Sequence, residues 1–255
     1  KGKINAMLLK DRVTVVTGAS KGIGEGIAVE FARQGSALIL VCKSDEVALE
    51  MVAMRCRSFG VRALTFIGDV SNKETADSVL ALAIQNFGYV DVLVNCAGII
   101  SRANFPDMKL KDWYGVLDVN LSGTMLMSKR LLPVMSERKF GKVIMITSQM
   151  AFKPHIGAAP SYEVSKAGIT ALARHLAMKY APDGINVNCI APGSINTDMP
   201  KNMPPEARAK IESGIPMNRL GEIDEVAKVA LFFASSMSDY VTGATLHVNG
   251  GSLIV

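Results

Sequence analysis

Residues 12–31 read RVTVVTGASKGIGEGIAVEF, and three patterns follow one another within them. The first six residues are rich in β-branched side chains and end at Thr17, as is typical of a buried parallel strand. Apolar side chains at Ile23, Ile27 and Phe31 then recur at the spacing of one helix face. Glycines separate the two patterns. The segment therefore predicts a strand, a glycine-rich turn and a helix.

The turn has the spacing G-x-x-x-G-x-G rather than the commoner G-x-G-x-x-G. Glycines at a strand-to-helix junction let a ligand approach the backbone, and the free N–H groups at the helix start favour a pyrophosphate. A tight turn without a ligand can have the same composition. We interpret the junction as a nucleotide site whose contact residues are Gly18, Ser20, Lys21, Gly22, Ile23 and Gly24.

Strand and helix patterns alternate from this junction to the end of the chain. The predicted strands are 12–17, 37–41, 62–67, 91–95, 142–147, 186–190 and 245–248, and later helices include 45–59, 72–87, a helix from about 107, 120–137, 162–180 and 224–234. Such alternation forces parallel pairing with helices on both faces. We predict an α/β fold with a single doubly wound parallel sheet, Rossmann-like, of about seven strands.

The expected domain spans residues 7–255. Lys1 is not an initiator residue, so we interpret residues 1–6 as a leader and Met7 as the start. Residues 196–216 are polar and bounded by proline, which suits a lid over a substrate site.

Composition argues against several functions. The formal charge of +5 is scattered, without a basic stripe, so we expect no nucleic-acid partner. Neither a membrane-length apolar run nor a secretory signal is evident, so no membrane association is predicted. The four cysteines lack paired spacing, which indicates reduced thiols in a cytoplasmic protein. The three histidines lack metal-ligand spacing, and no metal site is expected.

Residues 161–166 read SYEVSK and place Tyr162 and Lys166 one helical turn apart on the same face. A phenol has a pKa near 10, and an ammonium about 4 Å away supplies the energy to lower it to about 7. The pair is chemically sufficient for proton transfer at a carbonyl or an alcohol. The spacing alone also fits an amphipathic surface pair, so other residues must decide between the two.

Polar and small residues follow four further predicted strands. Asp69 and Val70 follow the third strand, Asn95–Gly98 the fourth and Ser148 the fifth, while residues 192–197, reading PGSINT, follow the sixth. An open parallel sheet binds ligands at this carboxyl edge. Their convergence there with the glycine-rich turn favours one nucleotide-dependent active site over a set of ordinary loops.

Together these motifs resemble the short-chain dehydrogenase/reductase family, from about Arg12 to Gly251. The matching motifs are TGxxxGxG at 17–24, Asp69, NxAG at 95–98, Asn120, Ser148, YxxxK at 162–166 and PG at 192–193. The resemblance implies that Tyr162 is the catalytic acid/base and that Lys166 lowers its pKa and binds a nicotinamide ribose. Ser148 would hydrogen-bond the substrate oxygen, and Asn120 would hold a water that links Lys166 to solvent.

The resemblance also implies a nicotinamide dinucleotide cofactor. Its implied contacts are Asp69 and Val70 at the adenine, Asn95, Ala97 and Gly98 near the ribose, Ile195 and Thr197 at the carboxamide, Pro192 and Gly193 beside them, and Tyr162 and Lys166. An acidic residue ending the second strand would favour NAD. That position holds Cys42, followed by Lys43, and Lys21 adds a cation in the turn. We therefore predict NADP(H) in preference to NAD(H).

Two departures from the family pattern concern the active site. Cys96 replaces the second Asn of the usual Asn-Asn-Ala-Gly, which is a mild change. The interval from Ser148 to Tyr162 is commonly one residue shorter in the family. The loop 149–160 is therefore expected to shape an unusual substrate pocket.

The C-terminal half is most similar to bacterial β-ketoacyl-ACP reductases, in INTDM at 195–199, RLG at 219–221 and TGATLHVNGG at 242–251. Many sugar, polyol and steroid dehydrogenases share these segments. In the β-ketoacyl-ACP reductases, arginines on two helices receive the acidic acyl carrier protein. The corresponding positions here hold Pro133 and Met178, with Lys129, Arg130, Arg174 and Lys179 nearby.

The predicted function is an NADPH-linked oxidoreductase for a small carbonyl/secondary alcohol pair. Reduction of a β-ketoacyl group on acyl carrier protein and oxidation of a sugar or polyol are alternatives. A nucleotide-binding regulator without catalysis is a third, against which the presence of Tyr162, Lys166 and Ser148 argues.

A homotetramer is also predicted, because family members pack two helices against symmetry mates. Here those helices carry a surplus of apolar side chains, namely Met125, Leu126, Met127, Leu131, Leu132 and Met135, and Leu172, Ala173 and Leu176.

Overall fold

A computed structural model describes residues 7–155, 157–197 and 204–255 of the chain. Within them, one sheet has seven strands, β1 (Val13–Thr17), β2 (Ala37–Cys42), β3 (Ala63–Ile67), β4 (Val92–Asn95), β5 (Gly141–Ile146), β6 (Ile185–Pro192) and β7 (Thr245–Val248). Their order is β3-β2-β1-β4-β5-β6-β7, and neighbouring strands are parallel. The predicted fold class is confirmed. The strand order reverses between β1 and β4, where sheets of this kind open a ligand crevice.

Helices connect the strands along the chain. They are α1 (Gly22–Arg33), α2 (Glu46–Arg57), α3 (Lys73–Phe87), α4 (Leu110–Leu117), α5 (Gly123–Glu137), α6 (Pro160–Tyr180), α7 (Pro205–Ser213) and α8 (Ile223–Ala234). The predicted helix from about Asp107 begins later, because a 3-10 turn at Phe105–Asp107 precedes α4. The first three residues of the predicted helix 120–137 belong to a π-helical turn, Asp118–Ser122. The α-helix α5 therefore starts at Gly123.

Successive strand residues point to opposite faces of the sheet and build two cores. Val16, Leu38 and Ile144 belong to the core that α1, α2 and α8 cover. Val15, Ile39 and Val143 belong to the core that α3, α5 and α6 cover. The helices therefore lie on both faces, as predicted, and the carboxyl edge of the sheet is left for loops.

Two predictions fall wholly or partly outside the described residues. Residues 1–6, interpreted as a leader, lie outside them, as does the part of the predicted lid at 198–203. The rest of that lid contains α7. Among the described residues, no helix is long and apolar enough to cross a membrane, and none of their acidic, His and Cys side chains cluster as a metal site would require.

Candidate active site

The glycine-rich turn has a backbone that other residues would strain. Gly18 and Gly22 have φ values of 67° and 62°, in the left-handed region. A Cβ on Gly18 would lie 2.8 Å from Cα of Ala97, and one on Gly24 would lie 2.2 Å from the carbonyl oxygen of Gly18. The turn is thus packed directly against the end of β4. The backbone conformation requires glycine at Gly18 and Gly22. Close contacts of a Cβ atom require it at Gly18 and Gly24.

This turn fits the pyrophosphate of a dinucleotide. The residue that precedes α1, Lys21, provides no side-chain cap, so the first N–H groups of the helix have no side-chain acceptor there. Helix N-termini with free N–H groups favour phosphate. Thr17 secures the adjacent loop, since its hydroxyl oxygen accepts hydrogen bonds from the N–H groups of Cys96 and Ala97 at 3.0 and 3.1 Å.

Lys43 and Asp69 lie together where the ends of β2 and β3 meet. The Lys43 ammonium forms an ion pair with the Asp69 carboxylate at 2.8 Å. Burial raises the pKa of Asp69, but hydrogen bonds from Lys43 and Ser71 outweigh it and leave the pKa below its ordinary value. Val70 is buried beside Gly123, where α5 begins. Lys43 and Asp69 were both predicted to lie in the cofactor site, but their ion pair with each other was not predicted.

The end of β4 supplies a second wall. Asn95 is buried and its side-chain amide donates to Ser128 on α5 at 3.1 Å. Burial raises the pKa of the Cys96 thiol to about 11, so this thiol stays protonated and unreactive at neutral pH. A Cβ on Gly98 would lie 3.3 Å from Oδ1 of Asn120 and 3.4 Å from Nζ of Lys166. Gly98 therefore lets these two side chains approach the strand end.

The π-helical turn aims Asn120 into the site. Its Oδ1 accepts from the Ile99 N–H at 2.8 Å, and its Nδ2 donates to the Ile99 carbonyl at 2.9 Å and to the Ser165 hydroxyl at 3.0 Å. Ser165 in turn donates to the Tyr162 carbonyl at 2.7 Å. Asn120 thus ties the β4 loop to α6. Ser165 was not among the predicted site residues, although it lies between Tyr162 and Lys166 in the sequence.

Ser148 and Tyr162 come together across the loop that joins β5 to α6. The Ser148 hydroxyl accepts the Met150 N–H at 3.1 Å, which holds the side chain at the strand end. Burial raises the pKa of the Tyr162 phenol above its ordinary value of 10, and a hydrogen bond with Ser148 offsets part of this rise. The phenol is therefore protonated at neutral pH and in contact with a hydroxyl, a pair that could bind one oxygen of a ligand.

No hydrogen bond joins Lys166 to the Tyr162 phenol among the described residues, and the expectation that Lys166 lowers the pKa of Tyr162 stays a prediction. Its ammonium lies 5.7 Å from the Tyr162 ring centroid and donates to the Ile146 carbonyl at 2.8 Å. The helical spacing places both side chains on one side of α6, and the ammonium is bonded to the carbonyl at the end of β5. Burial lowers the pKa of Lys166 itself to about 8.

Replacing Lys166 with Met should remove a pH dependence of stability. The penalty for burying the ammonium is fully present below pH 8 and disappears as the pH rises towards the ordinary pKa of 10.5. The free energy of unfolding of the wild type, relative to the variant, should therefore rise by about 2 kcal/mol from pH 7 to pH 9.5. Denaturant unfolding at both pH values measures this, with Lys10→Met as the exposed-lysine control. A relative stability that stays flat or falls with pH would contradict the prediction.

The end of β6 closes the site opposite β4. Gly193 bonds to the end of β7, its N–H donating to the Val248 carbonyl at 2.9 Å. The Ile195 side chain is buried in the core that α1, α2 and α8 cover. A Cβ on Gly22 would lie 3.7 Å from Cγ2 of Thr197, so Thr197 lies above the glycine-rich turn. The five segments that the sequence predicts at the carboxyl edge, the glycine-rich turn and the ends of four further strands, thus meet at one edge of the sheet.

Known proteins resemble this chain over nearly its whole length. A family profile described as "Enoyl-(Acyl carrier protein) reductase" matches residues 18–252. The 3-oxoacyl-[acyl-carrier-protein] reductase of Buchnera aphidicola is 36% identical over 94% of this chain and 96% of its own length. The same enzyme of Pseudomonas aeruginosa is 37% identical over 96% and 98%. The oxidoreductase UcpA of Salmonella typhimurium is 36% identical over 96% of both chains.

Solved structures agree with the fold. A putative gluconate dehydrogenase from Agrobacterium tumefaciens superposes with a TM-score of 0.92 at 30% identity, over 98% of this chain and 99% of that one. A short-chain type dehydrogenase/reductase from Mycobacterium marinum has a TM-score of 0.92 at 28% identity, over 99% of both chains.

Proposed function

Because the chain belongs to the short-chain dehydrogenase/reductase family, we propose that it is an NADPH-linked oxidoreductase that interconverts a carbonyl compound and a secondary alcohol. The contact between Ser148 and Tyr162 carries the proposal, because it supplies a protonated phenol and a hydroxyl at the carboxyl edge of the sheet. The glycine-rich turn beside it fits a dinucleotide.

In the direction of reduction, Tyr162 and Ser148 both bind the carbonyl oxygen of the substrate. The reduced nicotinamide supplies the hydride when it is bound. Tyr162 gives its phenolic proton to the same oxygen, which becomes the alcohol hydroxyl, and is left as a phenolate. The raised pKa of the phenol keeps it protonated before the reaction, as an acid must be. Lys166 stabilises the phenolate electrostatically across the distance that separates them.

After the reaction, the proton would return to Tyr162 through Lys166 and Asn120. The side chains of Lys166 and Asn120 lie near each other, since both approach Gly98. With a pKa of about 8, Lys166 can lose and regain a proton near neutral pH. We assign Asn120 the role of holding a water between Lys166 and solvent, as the family resemblance implies.

A panel of carbonyls and alcohols, followed by nicotinamide absorbance with each cofactor in turn, tests the proposed function. Turnover of at least one carbonyl/alcohol pair is expected. If the protein binds the dinucleotide but turns over no member of the panel, the regulator without catalysis becomes the better assignment.

Reduction of a β-ketoacyl group on acyl carrier protein is the second candidate. Two of the relatives above are named as 3-oxoacyl-[acyl-carrier-protein] reductases, which supports it. The helix positions expected to receive the acidic carrier argue against it. Pro133 and Met178 are exposed and uncharged, and the nearby Arg130 is paired with Asp77 at 2.6 Å. Lys129 and Arg174 are exposed and could still steer an acidic partner.

We expect kcat/KM for a β-ketoacyl group on acyl carrier protein to be no higher than for a short soluble analogue. A carrier-specific advantage needs basic residues beside the entrance, and both expected positions, Pro133 and Met178, lack them. The comparison is made at low salt and repeated at high salt. A strong, salt-sensitive advantage for the carrier-bound form would restore the fatty-acid role.

We propose a homotetramer, but the exposed face of α6 now supports it rather than the predicted surplus of apolar side chains. Met127, Leu131, Leu132, Met135 and Ala173 are buried within the chain, so these members of the predicted surplus belong to the intrachain core. The exposed face of α6 instead presents Val164, Ala167, Ala171 and Met178 at helical spacing. Small residues at the middle of such a face allow close approach of a second helix.

Light scattering at micromolar concentration should give the mass of a tetramer for the wild type. Ala171→Glu places a charge at the middle of the exposed face of α6 and should yield smaller species. Met54→Glu, on the exposed side of α2, is the matched control and should leave the mass unchanged. A wild-type monomer would refute the proposal.

We also propose that the enzyme acts in the cytoplasm. The cysteines Cys42, Cys56, Cys96 and Cys189 are all free, which supports a reducing compartment.

A further inference from the structure

A tight turn follows β7 and lies against the active-site edge. The Asn249 side chain holds this turn, its Nδ2 donating to the Leu253 carbonyl at 2.8 Å and its Oδ1 accepting the Gly251 N–H at 2.9 Å. The backbone of Gly250 also receives the Met217 N–H at 3.2 Å. The turn is therefore well ordered by its own contacts and by the chain that follows α7.

Ser252 in this turn bonds to the residue next to Ser148. Its hydroxyl donates to Oε1 of Gln149 at 2.5 Å, and its carbonyl accepts from Nζ of Lys153 at 3.4 Å. The ring of Phe152, in the same loop, packs edge-on against His247 with centroids 4.8 Å apart. The loop after β5 is thus docked on the C-terminal segment.

The bond from Ser252 determines which end of the Gln149 carboxamide is engaged. The oxygen accepts, so the two N–H donors of Nε2 are left over. Neither of them has a partner in the described ranges, where Gln149 is half-buried. A Cβ on Gly193 would lie 3.2 Å from Oε1 of Gln149. The carboxamide therefore lies between the ends of β5 and β6, the same gap that Ser148 borders.

We propose that Gln149 is a specificity-determining residue whose carboxamide, oriented by Ser252, donates a hydrogen bond to a second oxygen of the substrate. This rests on the proposed function, because the first oxygen is the carbonyl bound by Ser148 and Tyr162. Gln149 directly follows Ser148, so the second oxygen lies one or two carbons from the reacting carbonyl. The substrate class is then hydroxyketones and dicarbonyl compounds rather than simple ketones.

A matched pair of substrates tests this proposal. The ratio of kcat/KM for 1-hydroxy-2-butanone to that for 2-butanone is measured with NADPH. We expect the wild type to prefer the hydroxyketone and Gln149→Leu to lower the ratio about tenfold, the effect of one neutral hydrogen bond at its upper range. Ser252→Ala should lower the ratio in the same direction, and Ser252→Thr, which keeps the hydroxyl, should restore it.

Ser236→Ala, an exposed serine far from this loop in sequence, is the control and should leave the ratio unchanged. A ratio that Gln149→Leu leaves as in the wild type, or a wild type without preference, overturns the proposal even if both ketones are reduced. A wild type that reduces neither these ketones nor any other member of the panel overturns the proposed function itself, and this inference with it.

Discussion

Tyr162→Phe should lower kcat by roughly 10²–10⁴-fold, the loss typical of removing a general acid or base. The substitution keeps the ring that packs at the start of α6 and removes only the transferable proton. Ser148 would remain to bind the carbonyl oxygen, but a serine hydroxyl cannot replace the phenol as an acid. Steady-state turnover of any active carbonyl/alcohol pair measures the loss.

Dinucleotide affinity separates this effect from misfolding. Isothermal titration with NADP should give nearly the same affinity for Tyr162→Phe and the wild type, because the glycine-rich turn is unchanged. Tyr240→Phe, at a fully exposed tyrosine, is the matched control and should keep normal turnover. Near-normal turnover of the Tyr162 variant would remove Tyr162 from the role of acid/base.

A preference for NADPH over NADH on the order of 100-fold is the second large expectation. Hydrogen bonds to charged groups contribute about 1.5–3 kcal/mol each, and two imperfect ones, from Lys43 and Lys21, would reach this ratio. The position that would carry an acidic residue in an NAD enzyme holds Cys42. Binding of the two reduced cofactors to the same preparation measures the ratio.

The ion pair of Lys43 with Asp69 makes the test sharper. Lys43 is largely exposed, so it can turn to a 2′-phosphate at little cost, although Asp69 competes for it. Lys43→Met should reduce the preference about tenfold by weakening NADPH alone. Lys10→Met, an exposed lysine near the opposite edge of the sheet, should not. A wild type that binds NADH more tightly than NADPH would refute the predicted cofactor preference.

Much of the site was predictable because parallel strands end at a common edge. Five segments far apart in sequence were assigned to that edge from strand patterns, and the described structure brings them together. The side-chain partners at the edge were not predictable. Lys43 pairs with Asp69 and Lys166 bonds the Ile146 carbonyl, because each ammonium takes the acceptor that packing brings nearest.

The sequence by itself determined the parallel sheet, its two helical layers and the family. These depend on short-range signals, namely β-branched runs, helical spacing and glycines at a strand-to-helix turn, which act over a few residues. Only the tertiary structure decided the protonation states of Tyr162 and Lys166 and the contacts between the loop after β5 and the C-terminal turn. The pKa values of Tyr162 and Lys166 follow from burial, which spacing does not report. The bond between Gln149 and Ser252 joins residues 103 positions apart, and no local pattern encodes such a contact because packing of β5, β6 and β7 creates it.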